Sequence, residues 1–211
     1  GSGGRRTVTL PDGTDVLLNA NSRMDVPADY NQGQRDILLK GDGFFEVAQD
    51  HQQPFRVMVN GIVTTALGTS FRIRAYPFEK NIKVMLLTGK VEVARQHNAG
   101  DPVPVYLIPG QEAILNKGEG AIQKGSFDIS RMNNWKAGRL IFKDATLPEI
   151  GEELQNWYGV KVILTGNTSK KIHFNGEFDK DKDLQSVMKA IAFINGMKYD
   201  LEGEELTLTV E

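Results

Sequence analysis

The sequence predicts a mainly β N-terminal domain, a β-solenoid or β-roll, followed by a small α+β domain with repeated βαβ units. Three observations predict it. Short alternating apolar runs punctuated by glycine fill residues 7–124. After residue 139 the apolar spacing switches between the strand period and the helix period. That later pattern then recurs with a fixed offset of 37 residues.

The β runs come in order: Val8–Leu10, Val16–Leu18, Ile37–Leu39, Phe44–Val47, Phe55–Val59, Phe71–Arg74, Val84–Leu87 and Val91–Val93. Gly13, Gly41, Gly68, Gly89 and Gly110 separate them, giving strand, turn and strand in LPDGTDVLL, LKGDGFFEV, ALGTSFRIRA, LLTGKVEV and IPGQEAIL. No run is long enough to bury its own apolar face, so neighbouring rungs must stack. A sandwich satisfies the same pattern. The domain is expected over residues 5–124, with residues 125–138 as a connecting segment whose Trp135 packs on one of the two domains.

Residues 139–211 form the second domain. Leu140 and Phe142 alternate as in a strand. Thr146 and Glu149 have the spacing of a capping box, and Pro148 lies in the first turn, where proline is tolerated. Leu147, Ile150, Leu154 and Trp157 follow at helical spacing, and Gly159 ends the helix. Val160 to Leu164 is the next strand. Thirty-seven residues on, Leu184, Val187, Ile191, Ile194 and Gly196 match those five helix positions, with Asp183 as the cap. Tyr199 and Leu201 lie on the following strand, and Leu206, Leu208 and Val210 on the last. The expected arrangement is two helices covering one face of a sheet. The helix faces are too weakly basic for membrane-surface elements.

Composition narrows the function. The chain has 211 residues, 40% of them hydrophobic and 25% charged, with a formal net charge of −2. No basic excess or block supports nucleic-acid binding. The absence of cysteine excludes disulfides, thiol catalysis and thiolate metal sites. No apolar run reaches the roughly 18 residues of a membrane span. The chain opens with Gly1-Ser2-Gly3-Gly4 and not Met, as a trimmed fragment would, so a missing targeting segment says nothing of the parent protein. His51, His97 and His173 are far apart and form no metal-spaced pair. Asp179–Asp183 begins like a calcium loop, but Leu184 replaces the required glycine and Ala190 the closing glutamate. No nucleophile elbow, phosphate loop or selected carboxylate pair is present. The expectation is a protein with no catalytic, metal or cofactor site.

Six ordered segments carry a family resemblance: Leu10–Ser22, Leu39–Ala48, Pro54–Val57, Leu67–Phe71, Leu87–Val93 and Pro109–Ala113. They resemble the FecR domain of transmembrane anti-sigma factors in order and spacing. Gly43 departs from it, standing where alanine is common. Trp135–Val210, with Phe142, Leu147, Trp157-Tyr158 and Phe174–Phe178, is similar to the C-terminal domain of Bacteroidetes-type members. That domain resembles the short N-terminal signalling domain of secretins and TonB-dependent transducers.

The resemblance implies a periplasmic signal-receiving region. Its partner would be the signalling domain of a TonB-dependent outer-membrane transducer. An extracytoplasmic-function sigma factor would be regulated through a cytoplasmic region and a single inner-membrane span, both preceding Arg5. Strand addition at an open sheet edge is the expected mode of contact. Two edges are candidates. One is Lys171 to Asn175, with Lys171, His173 and Asn175, beside a Lys170-Lys171 pair that would guard it. The other is Leu206 to Val210, with Leu206, Thr207, Leu208 and Thr209. A glycan- or ligand-binding β module is the alternative, and a solvent-open platform built from Phe44, Phe45, Phe55 or Phe71 would favour it. A purely structural envelope spacer is a third possibility.

Overall fold

A computed structural model describes residues 4–96, 103–117, 121–168 and 171–211. The chain divides into two compact units, the first ending at Ile129 and the second running from Ser130 to Glu211.

The first unit is the expected β roll. Its strands are β1 (Arg6–Thr9), β2 (Asp15–Leu18), β3 (Arg23–Asp25), β4 (Arg35–Glu46), β5 (Phe55–Val59), β6 (Ile62–Ala66), β7 (Ser70–Ala75), β8 (Asn81–Thr88), β9 (Val91–Arg95), β10 (Val105–Leu107), β11 (Gln111–Asn116) and β12 (Gln123–Ser126). The 12-residue β4 serves both walls. Its first half pairs in parallel with β5 and antiparallel with β3; its second half pairs antiparallel with β2 and β7. The order β10-β9-β6-β5-β4-β7-β8-β11-β12 follows from that shared strand. Every ladder except β4–β5 is antiparallel, as short glycine turns require.

Gly41 is where β4 passes from one wall to the other. Its φ of 95° is open to glycine at little cost, and a Cβ there would lie 2.5 Å from Ser22 Oγ. That hydroxyl accepts the Asp42 amide at 2.8 Å, which fixes the bend. Inside the roll, Phe45 stacks on Phe71 at 5.1 Å and tilts against Phe55 at 5.9 Å. A Cβ on Gly43 would approach the Phe45 ring to 3.2 Å, so this glycine leaves room for that ring.

The second unit begins with all but the first residue of α1 (Ile129–Ala137) and continues with β13 (Arg139–Ala145), α2 (Leu147–Tyr158), β14 (Lys161–Gly166), β15 (Phe174–Asp179), α3 (Leu184–Asn195), β16 (Met197–Glu202) and β17 (Glu205–Val210). The stretch 125–138, expected as a connection, is regular: β12 ends within it and α1 fills most of it. Trp135 packs inside the second unit, 5% exposed, with Nε1 donating to Asn156 O at 3.2 Å.

Both βαβ units are present. The Glu149 carboxylate accepts from the Thr146 amide and hydroxyl, Asp183 accepts from the Ser186 amide, and Gly159 and Gly196 end the helices in the left-handed conformation. The single expected sheet is two sheets. The first strands of the repeats pair as β13-β15, and the second strands flank β17 in the order β14-β17-β16. Each helix packs on the strands either side of it, α2 on β13 and β14, α3 on β15 and β16.

Candidate functional site

The expected edge at Leu206–Val210 is corrected by the topology. β17 is the central strand of its sheet, parallel to β14 and antiparallel to β16. Leu206 and Leu208 are fully buried, and Thr207 and Thr209 lie on the opposite, half-exposed face, where Thr209 Oγ1 meets Thr165 Oγ1 at 2.9 Å. The alternating leucines of β17 fit the gap between two half-sheets, and burial on both flanks follows.

Lys171, His173 and Asn175 are exposed. Lys170 and His97 lie outside the described residues. His173 and Asn175 brace a bulge in β13 between Phe142 and Ala145. Asp144 sits there at a φ of 49°; its amide donates to Asn175 Oδ1 at 2.8 Å, and its carboxylate lies 3.1 Å from His173 Nδ1. These contacts hold a strained non-glycine residue in place. They give the two side chains an internal task, and Lys171 remains a surface cation.

The edges of the three-stranded sheet are therefore β14 and β16. β16 presents Lys198, Asp200 and Glu202 to solvent, the usual protection of an edge. β14 carries Val162, Ile163 and Leu164, all partly exposed. Lys161 donates its amide to Glu204 O at 2.7 Å, so Lys161, Ile163 and Thr165 turn their amides toward β17. Val162 and Leu164 turn theirs outward. Gln155 Oε1, on α2, accepts the Val162 amide at 2.9 Å and closes the start of this edge.

Two buried ion pairs in the β roll were not foreseen. Asp42, fully buried, accepts from Arg72 and from Asn19 Nδ2 at 3.0 Å. Arg35, 1% exposed, donates to Asp12 Oδ2 at 2.9 Å, Ala48 O at 2.9 Å and Gln53 O at 2.7 Å. Burial pushes the Asp12 carboxyl up, but bonds from the Thr14 hydroxyl and amide and from Arg35 outweigh it and hold it below its ordinary value. Asp12 lies in the LPDGT turn, and only the tertiary approach of Arg35, 23 residues on, reveals its partner.

Among the described residues no three His, Asp or Glu side chains gather to hold a metal. His51 is exposed beside Gln49. Phe44, Phe45, Phe55 and Phe71 are each at most 1% exposed, so these four build no open aromatic platform. No described helix is long and apolar enough to cross a membrane.

Residues 1–92 match the model of a family described as FecR protein, and residues 139–208 that of FecR, C-terminal. Two crystal structures of a proposed anti-sigma factor from Parabacteroides distasonis, at 1.65 Å and 2.50 Å, are similar at 30% identity and a TM-score of 0.71. The match covers 100% of this chain and 97% and 96% of theirs. No curated protein matches the chain.

Proposed function

The chain belongs to the FecR-type anti-sigma factor family, and on that premise we propose that it is the periplasmic signal-receiving region of a membrane anti-sigma factor. Its partner is the signalling domain of a TonB-dependent outer-membrane transducer. The sigma factor it regulates is of the extracytoplasmic-function class, reached through a membrane span and a cytoplasmic region of the parent protein. The chain acts by binding and not by turnover.

The observation that carries the reading is the β14 edge. Its middle is apolar and partly exposed, and its outward amides alternate between one closed by Gln155 and one at Leu164. A strand laid against it gains main-chain hydrogen bonds and takes over the acceptor role of Gln155. The neighbouring β16 edge, lined with charge, resists the same addition.

The test is Leu164→Pro against Leu164→Ala. Both lose the same half-buried side chain, and proline alone removes the outward amide while leaving the β14–β17 ladder its own donors. Binding of a purified transducer signalling domain is measured by calorimetry, with tryptophan fluorescence as the check on folding. Proline is expected to weaken binding about tenfold beyond alanine, the loss of one to two kcal/mol of hydrogen bonding. Equal affinities of two folded variants would remove β14 from the contact.

A further inference from the structure

α2 and α3 are structural copies, each 12 residues long and offset by 37. Their inward faces agree: Leu147, Ile150 and Leu154 are buried, and so are Leu184, Val187 and Ile191. Agreement fails in the last turn. Trp157 is 3% exposed, whereas Ile194, at the matching position, is 63% exposed. Asn156 is half-buried, whereas its match, Phe193, is 90% exposed.

α2 has a neighbour at this turn. α1 reaches it, with Arg131 donating to Glu153 and the buried Trp135 bonding Asn156 O. The exposure of Phe193 and Ile194 shows that the matching place on α3 is open. Single exposed apolar side chains are ordinary, but an adjacent Phe and Ile in the equivalent of a covered position mark an unfilled contact.

We propose that the last two turns of α3 dock an amphipathic helix of a partner protein, one that stands on α3 as α1 stands on α2. Charge states what the helix carries. α2 has Glu149, Glu152 and Glu153 and no cation, and it receives a basic helix with Arg131 and Lys136. α3 has no carboxylate, and its one charge is the exposed Lys189, a turn before Phe193. The docking helix therefore offers a large apolar side chain to Phe193 and Ile194 and a carboxylate to Lys189. A second copy of this chain is the poorer occupant, because α3 carries no carboxylate to offer the Lys189 of its copy. The contact is separate from the β14 edge.

The probe is a fluorescein-labelled helical peptide of about 18 residues, long enough to hold a helix when docked. It keeps the Met132-to-Trp135 spacing and has glutamate in place of Arg131. The expected result is saturable binding to the chain that weakens about tenfold on Phe193→Asp or Ile194→Ser, the loss of a central apolar anchor. Both side chains are exposed enough that circular dichroism should show unchanged folding. A peptide retaining arginine should bind weakly to the parent and recover on Lys189→Glu. Three results would overturn the proposal: no saturable binding at millimolar peptide, equal binding by the Phe193→Asp variant, or a dimer in sedimentation that disappears with that variant, which would make a second copy the occupant.

Discussion

Arg72 holds Asp42 with two parallel hydrogen bonds, Nε to Oδ1 at 2.8 Å and Nη2 to Oδ2 at 2.5 Å, at side-chain exposures of 6% and 0%. The pair bridges β4 and β7 just past the Gly41 bend, and Asn19 adds a third bond to the carboxylate. Its removal on one side leaves a buried charge without its partner. Asp42→Ala should destabilise the β roll by about 3–5 kcal/mol, and replacing both residues by apolar ones should cost much less. Urea unfolding followed by far-ultraviolet circular dichroism measures both, and equal losses in the single and double variants would contradict the pairing.

Asp12 predicts a pH dependence of the same unit. Its folded carboxyl sits below the unfolded value of about 4, so it adds stability that is fully present above that value. The contribution is lost as pH falls through the folded value. Asp12→Asn should lower stability at pH 7 and flatten the decline below about pH 4. Parallel curves for the two proteins would show that Asp12 contributes nothing through its charge.

The α+β unit can be followed separately, because both tryptophans, Trp135 and Trp157, lie in it. Asp183 accepts the Ser186 amide at 2.7 Å and hydroxyl at 3.0 Å, and those bonds hold its carboxyl below the ordinary range. Asp183→Ala should lower the fluorescence-detected Tm by roughly 5 °C, while Asp183→Asn, which caps as well, should be near neutral at pH 7. In acid the wild-type carboxylate protonates and the asparagine does not, so the Asn variant should become the more stable of the two. A Tm for Asp183→Ala equal to wild type would deny the cap.

The duplicated half was the most legible part of the chain. Thr146, Glu149, Asp183, Gly159 and Gly196 specify helix ends through bonds to residues within a turn of themselves, so their neighbours in sequence suffice. Trp157 and Ile194 have equivalent spacing and opposite exposure, and Trp135 of α1 bonds the residue beside Trp157, Asn156. Periodicity reports which face a helix turns inward, not what covers its other faces.

The sequence by itself determined the roll-like β class of the first unit, the caps and repeat of the second, and the six segments of the family resemblance, since each rests on local period, turn chemistry or motif order. Only the tertiary structure decided that Leu206–Val210 is a central strand, that Asp12 and Asp42 are buried ion-pair partners, and that β14 is the apolar edge. The Asp12–Arg35 pair joins residues 23 positions apart, and Lys161 on β14 meets Glu205 on β17 from 44 positions away. No local pattern records which distant strand will supply the missing hydrogen bonds, because any strand of the right length satisfies the same donors.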